Sequence, residues 1–180
     1  MESVHIVGVN HFLQWIDAKC WSPAGRVREA EQKASFRGML NEMVIANQVG
    51  LIAEEEKPGQ KNLGAAIVEE HHLNYIELTM PISERKRRGI NTETYERRPE
   101  TKAHAYREFE DYMFGRIAAV NARVTLAICG RRHMHGLEER VRGVGVKTFR
   151  YDVCDYDWWH GIPIEDGVNV VGYDQREDES

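Results

Sequence analysis

Two short stretches of this chain have the residue types and the spacing for metal chemistry. Val4-His5-Ile6-Val7-Gly8-Val9-Asn10-His11 and Leu126-Ala127-Ile128-Cys129-Gly130-Arg131-Arg132-His133 each run from apolar residues to a glycine, two further residues and a histidine. A third apolar run, Leu51-Ile52-Ala53, ends in Glu54-Glu55-Glu56. Two neutral imidazoles and a carboxylate can hold a divalent ion with positions left open. Such an ion lowers the pKa of bound water and polarises a carbonyl or phosphoryl oxygen, while a second carboxylate serves as general base. The expected metal ligands are therefore His11, His133 and Glu54 or Glu55, with the other acid as base. Manganese, cobalt or zinc suits such a mixed nitrogen and oxygen set.

For these residues to meet, the runs that carry them must be parallel strands of one sheet, because open α/β sheets bind ligands at the carboxyl edge of their strands. The pattern between them fits. Arg28 to Gln48 has helical spacing with Gly50 where a cap would fall, Asn62 to His71 reads as a second helix, and Leu73 to Thr79 as a strand. Ala103 to Val120 is amphipathic, with Tyr106, Phe109, Met113, Ile117 and Val120 on one stripe and Glu110 near its centre. A buried acid there is costly unless it is paired or faces a site. Asn121 to Cys129, Met134 to Arg142 and Val144 to Tyr151 follow as strand, helix and strand. Alternation of strands and helices predicts an α/β three-layer sandwich with a mainly parallel sheet of about five strands.

The segments between these elements supply further candidates. A helix leading into a parallel strand starts at the carboxyl edge, which brings His104, Arg107 and Glu108 near the site; Arg107 and Glu108 are expected catalytic or orienting residues beside Glu54 and Glu55. Residues 80–102 are polar, with Pro81, Gly89 and Pro99, and a connection of that length in a compact domain is usually functional or mobile. It is expected to form a lid, with Arg85 and Arg88 binding substrate. Trp15 and Trp21, in the loop after the first strand, could wall the pocket or cover the core. His71-His72 falls at the opposite edge, where imidazoles near a helix C-terminus need no catalytic explanation.

The totals are those of an ordinary single domain, taken as residues 1–160, with 161–180 as an extension ending in an acidic tail. A chain of 180 residues with 42% hydrophobic content can bury one good core, and a net charge of -5 gives no global attraction to nucleic acid or anionic lipid. No signal peptide, transmembrane stretch or disulfide framework is expected from the N-terminus, the hydropathy or the three cysteines, which points to the cytoplasm. The partners expected are a small-molecule or peptide substrate, with a homodimer open, and no membrane or nucleic acid.

With Gly8-Val9-Asn10-His11 and Gly130-Arg131-Arg132-His133 near the two ends, Glu54-Glu55 after the second strand and Arg107 on the helix before the last motif, the chain resembles the Tiki/TraB and erythromycin-esterase/ChaN-like superfamily. Cys129 to Val146 is similar to that group's C-terminal signature. The resemblance implies an α/β fold and metal-dependent peptide or ester hydrolysis, although other branches bind haem. Two competing expectations come from the residues themselves. Asp152, Asp155 and Asp157 could bind magnesium in a phosphoesterase, or the fold could be a non-catalytic ligand-binding or regulatory module using the lid and Trp158-Trp159.

Overall fold

The computed structural model of the chain describes residues 1–14, 23–55, 62–91, 93–120, 122–160, 162–163 and 169–170. Trp15, Trp21, Glu56 and the acidic tail lie outside them. Five strands, β1 (Ser3–Val9), β2 (Leu51–Glu54), β3 (Asn74–Glu77), β4 (Val124–Gly130) and β5 (Lys147–Asp152), form one sheet in the order β3-β2-β4-β1-β5. Every pairing is parallel. The helices are α1 (Pro23–Asn47), α2 (Leu63–His71), α3 (Ile82–Arg87), α4 (Pro99–Ala118) and α5 (Met134–Gly143). This is the expected three-layer α/β sandwich. The two motif-bearing strands are adjacent at its centre, with Val9 opposite Gly130.

Strand periodicity divides the core into two layers. Val7, Val9, Ile52, Leu126 and Ile128 pack against Phe36, Leu40 and Val44 of α1 and Ile67 of α2. Val4, Ile6, Ala53, Ala127 and Cys129 pack on the other face against Met113 and Ile117 of α4 and Leu137 and Val141 of α5. Because β1, β2 and β4 are covered on both sides, they read as continuous apolar runs. Truncating one of their fully buried side chains, Leu126 for example, should cost about 2–5 kcal/mol.

Some boundaries differ from expectation. α1 begins at Pro23 rather than Arg28 and is closed by Gln48 in the left-handed region (φ 53°), with Val49 N donating to Val44 O; Gly50 plays no part in that cap. His72 (φ 54°) closes α2 in the same way and His71 Nε2 lies 3.0 Å from Asn41 Oδ1, so the pair is structural and far from the motif edge. The expected irregular lid is partly helical. It holds α3, a short 3-10 turn (Tyr95–Arg97) and the start of α4 at Pro99. Its Met80 and Ile90 join Ala105 and Phe109 of α4 in a small third core beside Tyr95, Tyr106 and Tyr112. The described residues of 80–102 thus form a wall at the carboxyl edge, packed through Met80 and Ile90.

Candidate functional site

Each Gly-x-x-His motif leaves its strand through one turn of 3-10 helix, His11–Gln14 after β1 and Arg131–His133 after β4. These turns carry both imidazoles to one cavity of about 300 Å³ at the carboxyl edge. Val9, Leu78 and Met113 are apolar members of its lining, Tyr95, Tyr106 and Phe109 its aromatic members, and His11, Glu55, Arg85 and His133 bring charge or titratable groups. Glu55, immediately after β2, stands between the histidines: Oε2 is 3.9 Å from His11 Nε2 and Oε1 is 3.8 Å from His133 Nε2. The Gly130 amide donates to Glu55 Oε2 at 2.9 Å. Glycine at 130 eases this approach, since a Cβ there would lie a tight 3.0 Å from His11 Nε2.

A hydrogen bond orients the His11 ring, and a carboxylate stands behind the His133 ring. Gln14 Nε2 donates to Glu54 Oε1 (3.1 Å) and to the Glu55 carbonyl (2.9 Å), so its Oε1 is left as an acceptor. His11 Nδ1, 2.7 Å from that oxygen, must donate, and in the neutral ring Nε2 then carries a lone pair. His133 Nδ1 faces Glu110 Oε1 at 3.6 Å, and the other Glu110 oxygen accepts from Arg140 Nη1 at 3.0 Å. His133 Nδ1 is buried with no hydrogen-bond partner among the described residues, and carboxylates face both of its ring nitrogens, Glu110 behind and Glu55 in front. Tyr106 and Phe109 hold the ring edge-on, with centroids 5.1 and 5.8 Å away. Gly136 makes room for Glu110, because any Cβ there would fall inside the carboxylate.

Burial alone would pull the His133 pKa down, but the contact with Glu110 and the charges of Glu55 and Glu110 outweigh it and raise the value above the usual 6.5, against opposition from Arg132. Beneath them the Cys129 thiol is fully buried and pushed well up, by burial first and then by the same two carboxylates. Tyr95 is pushed up to about 12, chiefly by burial and then by Glu96, and donates to Glu96 Oε1 at 3.2 Å.

The structure brings together His11, Glu55, His133 and Arg85, and separates them from the other candidates. Glu54 points away from the cavity: it is fully buried beside Gln14 and Tyr75, whose hydroxyl donates to it at 3.2 Å, so it orients Gln14 and does not reach a metal at the histidines. Arg107 is exposed and contributes its carbonyl oxygen to Arg140. Arg88 and Glu108 pair with each other at 2.8 Å, with Glu84 on the same arginine. His104 Nε2 faces the Arg88 carbonyl at 3.2 Å. Asp152 accepts from Arg131 and from the Cys154 amide, while Asp155 and Asp157 are exposed, so the acids of the magnesium reading are not gathered. Trp158 and Trp159 are half-buried against the α1 layer rather than presented to a partner.

Neither a protein-family model nor a curated protein matches the chain. No helix among the described residues is long and apolar enough to cross a membrane.

His11 Nε2, His133 Nε2 and the Glu55 carboxylate face one another across the cavity, and these donor types suit a divalent cation. No three His, Cys, Asp or Glu side chains among the described residues stand at ready coordination spacing. The 3.8 and 3.9 Å gaps are nevertheless only slightly wider than the roughly 3.4 Å that separates ligands around a tetrahedral ion with bonds near 2.1 Å. Gln14, Glu110 and Arg140 are the residues sequence reasoning missed, although the acid on an apolar stripe marked Glu110.

Proposed function

We propose that the chain is a small metal-dependent hydrolase of peptide or ester bonds, a short member of the Tiki/TraB and erythromycin-esterase/ChaN-like group. His11 Nε2, His133 Nε2 and Glu55 would hold the metal, with manganese, cobalt or zinc suited to the donors. The observation that carries the reading is the Glu55 carboxylate lying 3.9 and 3.8 Å from two imidazole nitrogens, with Gln14 bonded to the back of one ring and the Glu110 carboxylate behind the other. When bound, the metal supplies Lewis acidity at that point.

The chain's own residues account for the rest. Gln14 holds the His11 ring by its Nδ1 and Glu110 stands behind the His133 ring, support of a kind that ordinarily contributes 10–100-fold in metal affinity or activity. The Gly130 amide donates to Glu55 Oε2 and so sets the carboxylate between the two imidazoles, as a ligand there requires. The Tyr106 hydroxyl accepts from Arg132 Nη1 at 3.1 Å and has no acceptor of its own among the described residues, which leaves its proton for the developing oxyanion.

The test is metal content after loading with manganese, cobalt, zinc or magnesium, followed by turnover of peptide and ester panels. The parent should bind close to one equivalent of a transition metal and the His11→Ala/His133→Ala variant none. Glu55→Gln should lower metal occupancy and turnover together, and Tyr106→Phe should lower turnover on the order of 10²-fold with little change in KM. Metal retained by the double variant, or none in the parent, would overturn the reading.

A further inference from the structure

The geometry points to a substrate that carries an oxyanion, a carboxylate or a phosphate monoester, recognised by Arg85 on the cavity wall. This rests on the cavity being the substrate site of the proposed hydrolase, and it narrows the class of molecule that enters.

Arg85 differs from the arginines around it. Its neighbours on α3 are engaged: Arg87 pairs with Glu84, and Arg88 with Glu84 and Glu108. Of the other arginines lining the cavity, Arg131 is bidentate on Asp152 and Arg132 donates to Tyr106. Arg85 is half-buried and lines the cavity, yet no carboxylate among the described residues lies within ion-pairing distance of it. Its Nε donates to the Met80 carbonyl at 2.8 Å and its guanidinium carbon sits 5.3 Å from the Phe109 ring centroid. A partly desolvated guanidinium, anchored at one nitrogen and stacked on a ring, keeps its two terminal nitrogens for a ligand, and the planar fork suits a carboxylate or phosphate. The one carboxylate beside it in the lining that is not held between the histidines, Glu96, is exposed at the rim and solvated.

Size and lining set the remainder. A cavity of about 300 Å³ is at the small end for ligand sites, which suits a molecule of dipeptide size rather than a polymer. Phe109, Tyr95, Leu78 and Met80 offer its apolar or planar part a surface. Such a substrate would be hydrolysed a short distance from its own anion: a small peptide beside its terminal carboxylate, or a small ester beside an acid group.

Binding, measured by calorimetry on the full chain with chelator present, tests this apart from turnover. The probes are N-acetyl-L-phenylalanine, its neutral amide and phenyl phosphate. The acid or the phosphate should bind at least about tenfold more tightly than the amide, an advantage that shrinks with added salt, and whichever is tighter tells carboxylate from phosphate. Arg85→Gln should abolish the preference, Arg85→Lys should retain part of it, and Arg87→Gln should leave it intact; thermal melts of each variant verify folding. The His11→Ala/His133→Ala variant should keep the preference, so loss of the hydrolase reading and loss of this one are separable. Equal affinity for acid, phosphate and amide, no binding of any anion, or a preference that survives in Arg85→Gln would each overturn the inference.

Discussion

The two motif histidines share spacing, turn and destination, but not support. His11 has a side chain 45% exposed and its Nδ1 is held by the neutral amide of Gln14. His133 is 10% exposed, and behind it stands a carboxylate that is itself paired with a guanidinium. An amide fixes a tautomer without altering the charge balance, whereas a carboxylate fixes it and makes the ring more basic. The solvated ring needs only orientation. The buried ring also needs compensation for desolvation, and Glu110 supplies it at the cost of requiring a partner of its own.

The largest break in this comparison is Glu110→Ala. It leaves a buried imidazole and a mostly buried Arg140 without their shared carboxylate, and loss of one member of a buried ion pair costs about 3–5 kcal/mol. The lower end is expected, since Arg140 keeps Asp111 and the Gly136 carbonyl. Urea unfolding of metal-free protein measures it, and a loss below about 1 kcal/mol would be no more than an average hydrogen bond contributes. Gly136→Ala comes next: its methyl displaces the Glu110 carboxylate, an overpacking cost of about 1–3 kcal/mol with weaker metal binding. Unchanged metal affinity there would show that Glu110 does not position His133.

On the other arm, Gln14→Ala should cost about 1–2 kcal/mol, because buried Glu54 and the Glu55 carbonyl each lose a donor. Metal affinity should fall about tenfold, because exposed His11 can then adopt either tautomer. Should Gln14→Ala match or exceed Glu110→Ala in stability, the contrast between neutral and charged support would fail.

Much of this arrangement was legible in the residues, and the parts that were not have particular causes. Strands covered on both faces read as unbroken apolar runs, so β1, β2 and β4 and their exits were plain. Edge strands β3 and β5, half-exposed, proved shorter than their apolar patterns, and Gly145 at φ 78° ends the turn that delays β5 to Lys147. The choice between Glu54 and Glu55 was a question of parity. Ala53 faces α4 and α5, Glu54 therefore faces α2, and Glu55 returns to the side where Met113 and Leu78 line the cavity. That alternation is in the sequence; which helices cover which face depends on long-range crossovers and is not. Arg107 does sit on the helix that starts at the carboxyl edge, but at about 100° per residue it lies some 120° from the centre of the buried stripe, outside the site. Arg140 pairs with Glu110 through the packing of two helices, which no local pattern encodes.

The smallest effect is the dependence on pH, and it separates His133 from His5, a histidine of the same strand system with no part in the site. His5 stacks on Phe149 with centroids 4.6 Å apart, and burial, then the charge of Lys147, lowers its pKa. Its contribution to stability is present above 6.5 and is lost as pH falls toward its folded value. His133, raised above 6.5, behaves oppositely: its contribution is complete below 6.5 and is lost as pH rises through its folded value. In chelated protein the stability difference between parent and His133→Gln should therefore shrink from pH 6 to pH 8, whereas that between parent and His5→Gln should not. Bound metal should reverse the first trend, because an ion takes the neutral ring and its stabilisation would grow with pH. Urea midpoints at three pH values, with and without zinc, give both slopes. Parallel slopes for parent and His133→Gln in chelator would mean that Glu110 orients the ring without making it more basic, and the two motifs would then differ in burial alone.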